Sequence, residues 1–193
     1  MTGLNASFLE KDELRALGLL RCGENVRIHR TAVLVDCSGI SIADDVRIDP
    51  YVVASASGGI DIGRFVHIGS HCSLSGSEPI AFRDFSCISH GVRLFSSSDD
   101  YSGGSLTNAT IPDAYKKVDH GRIVLGRHAL VGAGSVVLPG VEIHEGSAVG
   151  ALSLVAKSLP PWGIYAGIPA KRIADRKKDL LELEAQLRDR PRT

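Results

Sequence analysis

The sequence has 193 residues, 44% of them hydrophobic, which fits a single domain, residues 1–193, with a core of its own. The 22 basic and 22 acidic residues balance, which argues against nucleic-acid binding, and no apolar stretch or basic leader predicts a membrane span or signal peptide. The four cysteines form no CxxC pair and no disulfide framework, which predicts a cytoplasmic protein.

Residues 1–20 contain a predicted N-terminal capping helix. Ser7 and Glu10 have the spacing of a capping box, which predicts a helix over residues 7–17. One side of this helix is apolar, with Phe8, Leu9, Leu14 and Leu17. We expect it to cover the open end of the structure that follows, where strand edges would otherwise be exposed.

From residue 21 onwards an aliphatic residue recurs at every sixth position. Neither a helix of period 3.6 nor a strand of period 2 gives this spacing, but a short strand followed by a tight corner does. The pattern restarts every 20 residues, which corresponds to one three-sided coil. The predicted inward positions are Cys22, Ile28, Leu34 and Ile40, then Ile42, Ile48, Ala54 and Ile60, then Ile62, Ile68, Leu74 and Ile80, then Phe82, Ile88 and Leu94.

Residues 95–122 interrupt the repeat. This segment is polar and has no period, and a long loop inside a compact domain is usually functional. Continuing the repeat would place Asp100 in the inward slot of Ile80. Because an unpaired carboxylate is costly in an apolar core, we expect the chain to leave the stack here.

The six-residue pattern resumes at Leu125. The inward positions are then Leu125, Val131, Val137, Ile143, Val149 and Val155, and smaller residues follow four positions later at Ala129, Ser135, Val141, Ser147 and Ser153. The repeat over residues 21–160 predicts an all-β fold, a parallel β-helix shaped as a triangular prism of about six coils. An antiparallel sandwich of short strands is disfavoured, because its strands keep no six-residue period.

A charged helix is predicted over residues 174–190. Its leucines form a partial stripe, which we expect to pack on the prism of the same subunit or of a neighbour. The stripe consists of Leu180, Leu181, Leu183 and Leu187.

The C-terminal half resembles the hexapeptide-repeat acyltransferases, with GAGSVVLPGV and GIPAKRI as the most specific segments. The segment FSSSDDYSG resembles a subgroup that acetylates sugars or nucleotide-linked amino sugars of bacterial surface polysaccharides, including lipopolysaccharide. Both an amine and a hydroxyl acceptor, and so N- and O-acetylation, remain open from the sequence. The resemblance covers roughly residues 20–175. It implies a left-handed β-helix, a homotrimer with active sites between subunits, and acetyl-CoA bound along the C-terminal coils.

Candidate cofactor-binding residues lie in these coils. The small residues Gly132, Ala133, Gly150 and Ala151 would let a pantetheine arm approach the backbone amides, although the glycines could instead only turn corners. Three basic residues are candidates for the coenzyme A phosphates, and the alternative is a solvated basic patch. These are Lys157, Lys171 and Arg172, of which the last two lie in the stretch that resembles the family's phosphate-binding segment.

Many enzymes of the family that the sequence resembles use a histidine beside the loop as the catalytic base. The matching segment here, SSSDDYSG, contains no histidine. Asp99 and Asp100 take its place as candidates, with loop capping as the alternative. His67 and His90 are the other candidate bases, in that order. Candidate acceptor contacts are His71, Ser98 and Tyr101.

Two other functions remain open at this point. One is a carbonic-anhydrase-like hydratase on the same fold, which would need three histidines around a metal; the paired spacing is not obvious, and we expect no metal. The other is a β-helix scaffold without catalysis. The GIPAKRI segment favours the transferase.

Overall fold

A computed structural model of the protein describes residues 7–189, which wind into a prism with three walls of parallel strands. Strands are numbered in chain order. Sheet 1 contains β1 (Arg21–Cys22), β4 (Ile40–Ile42), β7 (Ile60–Ile62), β10 (Ile80–Phe82), β15 (Ile123–Leu125) and β18 (Glu142–Ile143). Sheet 2 contains β2 (Arg27–Ile28), β5 (Arg47–Ile48), β8 (His67–Ile68), β11 (Cys87–Ile88), β16 (Leu130–Val131), β19 (Ala148–Val149), β21 (Gly163–Ala166) and the antiparallel β22 (Lys171–Asp175). Sheet 3 contains β3 (Val33–Val35), β6 (Val53–Ser55), β9 (Ser73–Ser75), β12 (Arg93–Phe95), β17 (Val136–Val137) and β20 (Leu154–Val155).

The strand register confirms the predicted repeat. Ile40 pairs with Ile60 and Ile60 with Ile80, so each early coil has 20 residues. Val131 pairs with Val149, so the late coils have 18 residues, or three hexads. Strand β21 adds a partial seventh turn to the six that were expected.

The inward positions form the core, as predicted, with Phe82 as its large aromatic side chain. Leu125, Val131, Val137, Ile143, Val149 and Val155 are all buried. Cys22 was predicted to point inward and is exposed, because the first coil has a neighbouring coil on one side alone. His29, on the outside of the same coil, is buried by the Phe8 ring, with 5.5 Å between the ring centroids.

Helix α1 spans Lys11–Ala16 and is shorter than the predicted helix over residues 7–17. Residues 1–6 of the predicted N-terminal segment lie outside the described residues. Glu10 rather than Ser7 begins it, and the Glu10 backbone N–H donates to Glu13 Oε2 at 2.8 Å. Ser7 instead accepts a hydrogen bond from Arg30 at 3.2 Å. The segment still covers the first coil, with Leu14 buried against it.

The interruption at residues 95–122 is a hairpin that leaves the corner between sheets 3 and 1. Its strands β13 (Ser97–Asp99) and β14 (Val118–His120) pair antiparallel, and the Gly121 N–H donates to the Ser96 carbonyl at 2.9 Å. The next inward slot is filled by Ile123, which pairs with Ile80. The chain therefore leaves the prism where expected. Two short 3₁₀ turns occur at Cys37–Gly39 and Asp113–Tyr115.

Helix α2 spans Leu180–Arg188 within the predicted 174–190, whose last residue lies outside the described residues. The leucine stripe was expected to pack on the prism of the same subunit or of a neighbour. Leu183 and Leu187 are exposed within one subunit, so they do not pack on its own prism. Glu184 is the buried residue of the helix, because its carboxylate is held by basic groups on the prism. No helix within residues 7–189 is long and apolar enough to span a membrane.

Candidate active site

His67 lies on the outer face of sheet 2, against a buried carboxylate. Its Nε2 is 2.8 Å from Asp49 Oδ2, and Asp49 Oδ1 accepts from Arg47 Nε at 2.6 Å. Burial raises the pKa of Asp49, but the hydrogen bonds from His67 and Arg47 outweigh it and hold this pKa below its usual value. An ionised carboxylate accepts only, so His67 Nε2 carries the proton and the free lone pair of the neutral ring is on Nδ1.

His90 sits on the corner between sheets 2 and 3 and has the opposite arrangement. Its Nδ1 accepts the Ser70 backbone N–H at 3.2 Å and lies 2.9 Å from Ser70 Oγ. A backbone amide can only donate, so the proton of the neutral ring is on Nε2. The outward nitrogen of His90 is therefore a donor, and His67 is the histidine whose free nitrogen can accept a proton.

His71 lies on the same corner as His90, one coil lower. Its ring packs on Tyr51 with 5.0 Å between centroids, and its backbone has a left-handed φ of 60°. The three histidines are close in the fold but have different partners. Within residues 7–189, no group of three or more metal-ligating side chains is found.

Asp99 and Asp100 lie on the hairpin, at the other edge of sheet 3 from the histidines. Asp100 accepts the Ser102 N–H at 2.8 Å and the Ser105 hydroxyl at 3.2 Å, contacts typical of a loop cap. These bonds lower its pKa, so the group is ionised. The Asp99 carboxylate accepts the Asn108 N–H at 3.3 Å, Ser98 is half-buried beside it, and Tyr101 is almost fully exposed.

The candidate cofactor residues continue the corner of His90 into the late coils. The N–H groups of Gly132 and Gly150 bond to the next coil, and a Cβ on Gly132 would lie 2.5 Å from the Ala151 nitrogen. Coil packing therefore requires a glycine at position 132, whereas a Cβ on Gly150 would come no closer than 3.1 Å, to the Ala166 Cβ. Within residues 7–189, the N–H groups of Ala133 and Ala151 donate to no acceptor, so they remain available to a ligand.

The basic candidates lie beyond the last full coil. Lys157 and Lys171 are exposed, and Arg172 forms an ion pair with Asp175 at 2.5 Å. Lys157 follows β20, whereas Lys171 and Arg172 begin β22. They lie at the same end of the prism as Ala151.

Sequence reasoning missed Asp49 and Arg47. The signal was present, because a 20-residue coil places Arg47 beside His67 on the neighbouring strand, and Asp49 follows Arg47 by two residues. Within one chain the structure brings His67, His71, His90 and the cofactor candidates to one face and corner. It does not bring Asp99 and Asp100 to them.

Comparison with known proteins identifies the family. No family model matches the sequence. The chain is 41% identical over 180 residues to dTDP-4-amino-4,6-dideoxy-D-glucose acyltransferase of Escherichia coli, covering 93% of this chain and 94% of the relative.

Two solved structures support the same relationship. AntD, an N-acyltransferase from Bacillus cereus in complex with dTDP and 3-hydroxybutyryl-CoA, has a TM-score of 0.91 at 39% identity over 94% of this chain and 96% of its own. A maltose O-acetyltransferase from Clostridium difficile, with a TM-score of 0.60 and 18% identity over 90% of this chain and 81% of its own, shows the fold alone. The predicted left-handed β-helix and the acyltransferase activity are thus confirmed. The chain belongs to the coenzyme A-dependent sugar acyltransferases of the hexapeptide-repeat family, in the group that contains the dTDP-4-amino-4,6-dideoxyglucose acyltransferases.

Proposed function

We propose that the protein transfers an acetyl group from acetyl-CoA to the amine of a dTDP-linked 4-amino-4,6-dideoxyhexose. The observation that carries this proposal is the full-length similarity to the E. coli acyltransferase named for that sugar nucleotide. An AntD variant of known structure, 38% identical to this chain with a TM-score of 0.91, holds dTDP-4-amino-4,6-dideoxyglucose and coenzyme A together. The sequence alone left amine and hydroxyl acceptors open, and these relatives favour the amine.

The chemistry assigns a role to His67. The acceptor nitrogen attacks the thioester carbonyl, the carbon–sulfur bond breaks, and coenzyme A leaves as the thiolate. The proton released by the nitrogen passes to Nδ1 of His67, whose other nitrogen is fixed by Asp49, and then to the thiolate. His90 Nε2–H and the free amides of Ala133 and Ala151 supply hydrogen-bond donors for the oxyanion and the pantetheine arm.

The remaining half of the site comes from a neighbouring subunit. Asp99, Asp100, Ser98 and Tyr101 lie at the opposite edge of sheet 3 from His67, and no single chain joins the two groups. A homotrimer of parallel prisms places the hairpin of one subunit beside the histidine corner of the next. In this arrangement Asp99 of the partner subunit accepts a hydrogen bond from the acceptor amine.

The outer face of sheet 3 provides an apolar contact for such a trimer. Val33, Val35 and Val53 are each about half exposed there, and Val33 pairs with Val53 across β3 and β6. These valines form an exposed apolar surface outside the core, which is typical of a surface that a partner covers.

We expect Val53→Asp to convert the trimer into subunits of 20.5 kDa and to abolish activity. A carboxylate at this position would have to be buried without a partner in the subunit contact. Light scattering coupled to size exclusion gives the mass. Ser41→Asp, on the outer face of sheet 1, is the matched control and should leave the trimer intact. If Ser41→Asp dissociated the trimer and Val53→Asp left it intact, the subunit contact would lie on sheet 1 and not on sheet 3.

The cellular role follows the same relatives. A putative lipopolysaccharide O-acetyltransferase of E. coli is 28% identical over 83% of this chain and 74% of its own length. A cytoplasmic step in surface-polysaccharide biosynthesis, in which the sugar is acylated while linked to its nucleotide, fits both this similarity and the family.

The function is tested by coenzyme A release from acetyl-CoA with two matched acceptors. One is dTDP-4-amino-4,6-dideoxyglucose, and the other is dTDP-6-deoxyglucose, which carries a hydroxyl at the same carbon. We expect thiol release and an acylated product with the amine alone. Turnover of the hydroxyl sugar in preference to the amine would contradict the proposal, and so would stoichiometric zinc or iron with carbon dioxide hydration.

A further inference from the structure

Two arginines lie side by side on the outer face of sheet 2, at the end of the prism remote from the cofactor candidates. Arg27 and Arg47 are Cα partners on the adjacent strands β2 and β5, and His67 is the next residue in this row. Neighbouring strands are about 4.8 Å apart, and both guanidinium groups lie against the Phe8 ring, Arg27 at 4.2 Å and Arg47 at 5.3 Å from its centre. Like charges directly opposite each other on a sheet are destabilising. An anion bound between the two guanidinium groups would remove this repulsion.

The carboxylates nearby compensate for only one of these charges. Asp49 accepts from both Arg47 Nε and His67 Nε2, and Arg47 has no second carboxylate partner within residues 7–189. Arg27 has no carboxylate within ion-pair distance in that part of the chain. Its guanidinium lies 4.2 Å from the centre of the Phe8 ring, which fixes its position without neutralising it.

Two arginines on the outer face of sheet 1, Arg64 and Arg83, differ in this respect. On sheet 1, a cavity of about 270 Å³ is lined by Arg64 and Arg83 among others. Arg83 pairs with Asp61 at 3.4 Å and Arg64 with Asp44 at 3.7 Å. Arg21 also lines this cavity, but the carboxylates of Asp61 and Asp84 lie in the same lining. Within the described part of the chain no such pair of carboxylates faces Arg27 and Arg47, which favours them as the anion site.

We propose that Arg27 and Arg47 bind the diphosphate of the nucleotide sugar. This assignment rests on the proposed function and places the acceptor on sheet 2. Two planar guanidinium groups, one held by Phe8 and one by Asp49, present paired N–H donors that match phosphate oxygens. The sugar, attached to the second phosphate, extends from Arg47 towards His67, which is the next residue along the row.

Coenzyme A also carries a diphosphate, but its candidate residues lie at the other end of the prism. Ala133 and Ala151 follow β16 and β19, whereas Arg27 and Arg47 are on β2 and β5 of the same sheet. Donor and acceptor therefore approach from opposite ends of sheet 2 and meet near His67 and His90.

Calorimetric titration of the full-length protein with dTDP, thymidine and coenzyme A tests this assignment. Arg27→Ala should weaken dTDP binding about tenfold to a hundredfold, the effect of losing a charged hydrogen-bonding group. Thymidine, which has no phosphate, and coenzyme A should bind as to the unaltered protein. The dTDP affinity of Arg27→Ala should also fall less steeply with added salt.

Arg27→Lys should retain part of the dTDP affinity that Arg27→Ala loses. Arg83→Ala, on sheet 1, is the control and should bind dTDP as tightly as the unaltered protein. Arg27 is the informative position, since removing Arg47 would also leave the buried Asp49 without a partner. Unchanged dTDP affinity in Arg27→Ala, or an equal loss of coenzyme A affinity, overturns the assignment and leaves the proposed function standing. Failure of the unaltered protein to bind dTDP overturns the proposed function instead.

Discussion

Glu184→Ala should lower the free energy of unfolding by about 3 kcal/mol, at the lower end of the effect of breaking a buried ion pair. The Glu184 side chain is 3% exposed and lies 2.7 Å from both His128 Nε2 and Arg188 Nε, with Arg127 as a further ion-pair partner. Without it, Arg127 and His128 of the prism and Arg188 of α2 face one another with no carboxylate between them. For a domain of this size the melting temperature should fall by about 6–12 °C, measured by calorimetry.

The pH dependence gives a second test of this contact. Burial raises the pKa of Glu184, but hydrogen bonds from Arg127 and His128 outweigh it and hold the pKa below its usual value. The stabilisation is therefore present above about pH 4.5 and disappears as the pH falls through the lowered pKa. Glu182→Ala, on the exposed side of the same helix, is the control. Equal melting temperatures for the two variants would show that α2 is not anchored through Glu184.

His67→Ala should reduce kcat about 10²- to 10⁴-fold, the usual contribution of a positioned general base. Coenzyme A affinity should be unchanged, because the cofactor candidates lie on other coils. Steady-state kinetics with the amine acceptor provides the rate, and calorimetry provides the affinity.

Asp49→Asn keeps the shape of the carboxylate and should lower kcat by a smaller factor than His67→Ala. An amide no longer fixes the proton on Nε2, so Nδ1 is the acceptor for only part of the time. His144→Ala, which follows β18 on sheet 1 and lies 3.4 Å from Glu142, serves as the histidine control. A full-rate His67→Ala enzyme would remove His67 from the reaction and leave the proton to another group.

The repeat made most of the fold predictable. Each inward slot is one position in a fixed period, so Ile40, Ile60 and Ile80 could be assigned from the sequence, and the misfit of Asp100 revealed the hairpin. The helices were less predictable, because each has a single local pattern. The leucines of α2 suggested an apolar contact, whereas the helix is held by Glu184, which is 56 residues from His128 and has no register relation to it.

The candidate site, like the fold, was predictable from the sequence only where the repeat determines a position. His67 was identifiable from its place on a strand, and its pairing with Asp49 follows from the coil length once that length is applied across neighbouring strands. The proton positions on His67 and His90 were not predictable, because they depend on single hydrogen bonds to a carboxylate and to a backbone amide. The separation of the histidines from the hairpin depends on which corners of the prism they occupy, and no short sequence motif predicts that.

A subunit-complementation assay tests most directly the claim that neighbouring chains share each active site. His67→Ala and Asp99→Asn proteins are each prepared, confirmed to be trimers, and then unfolded and refolded together. Because every site would take His67 from one subunit and Asp99 from the next, random mixing should restore activity to about a quarter of the unaltered rate. Activity that stays at the level of the separate variants would contradict the shared site and show that both residues act within one chain.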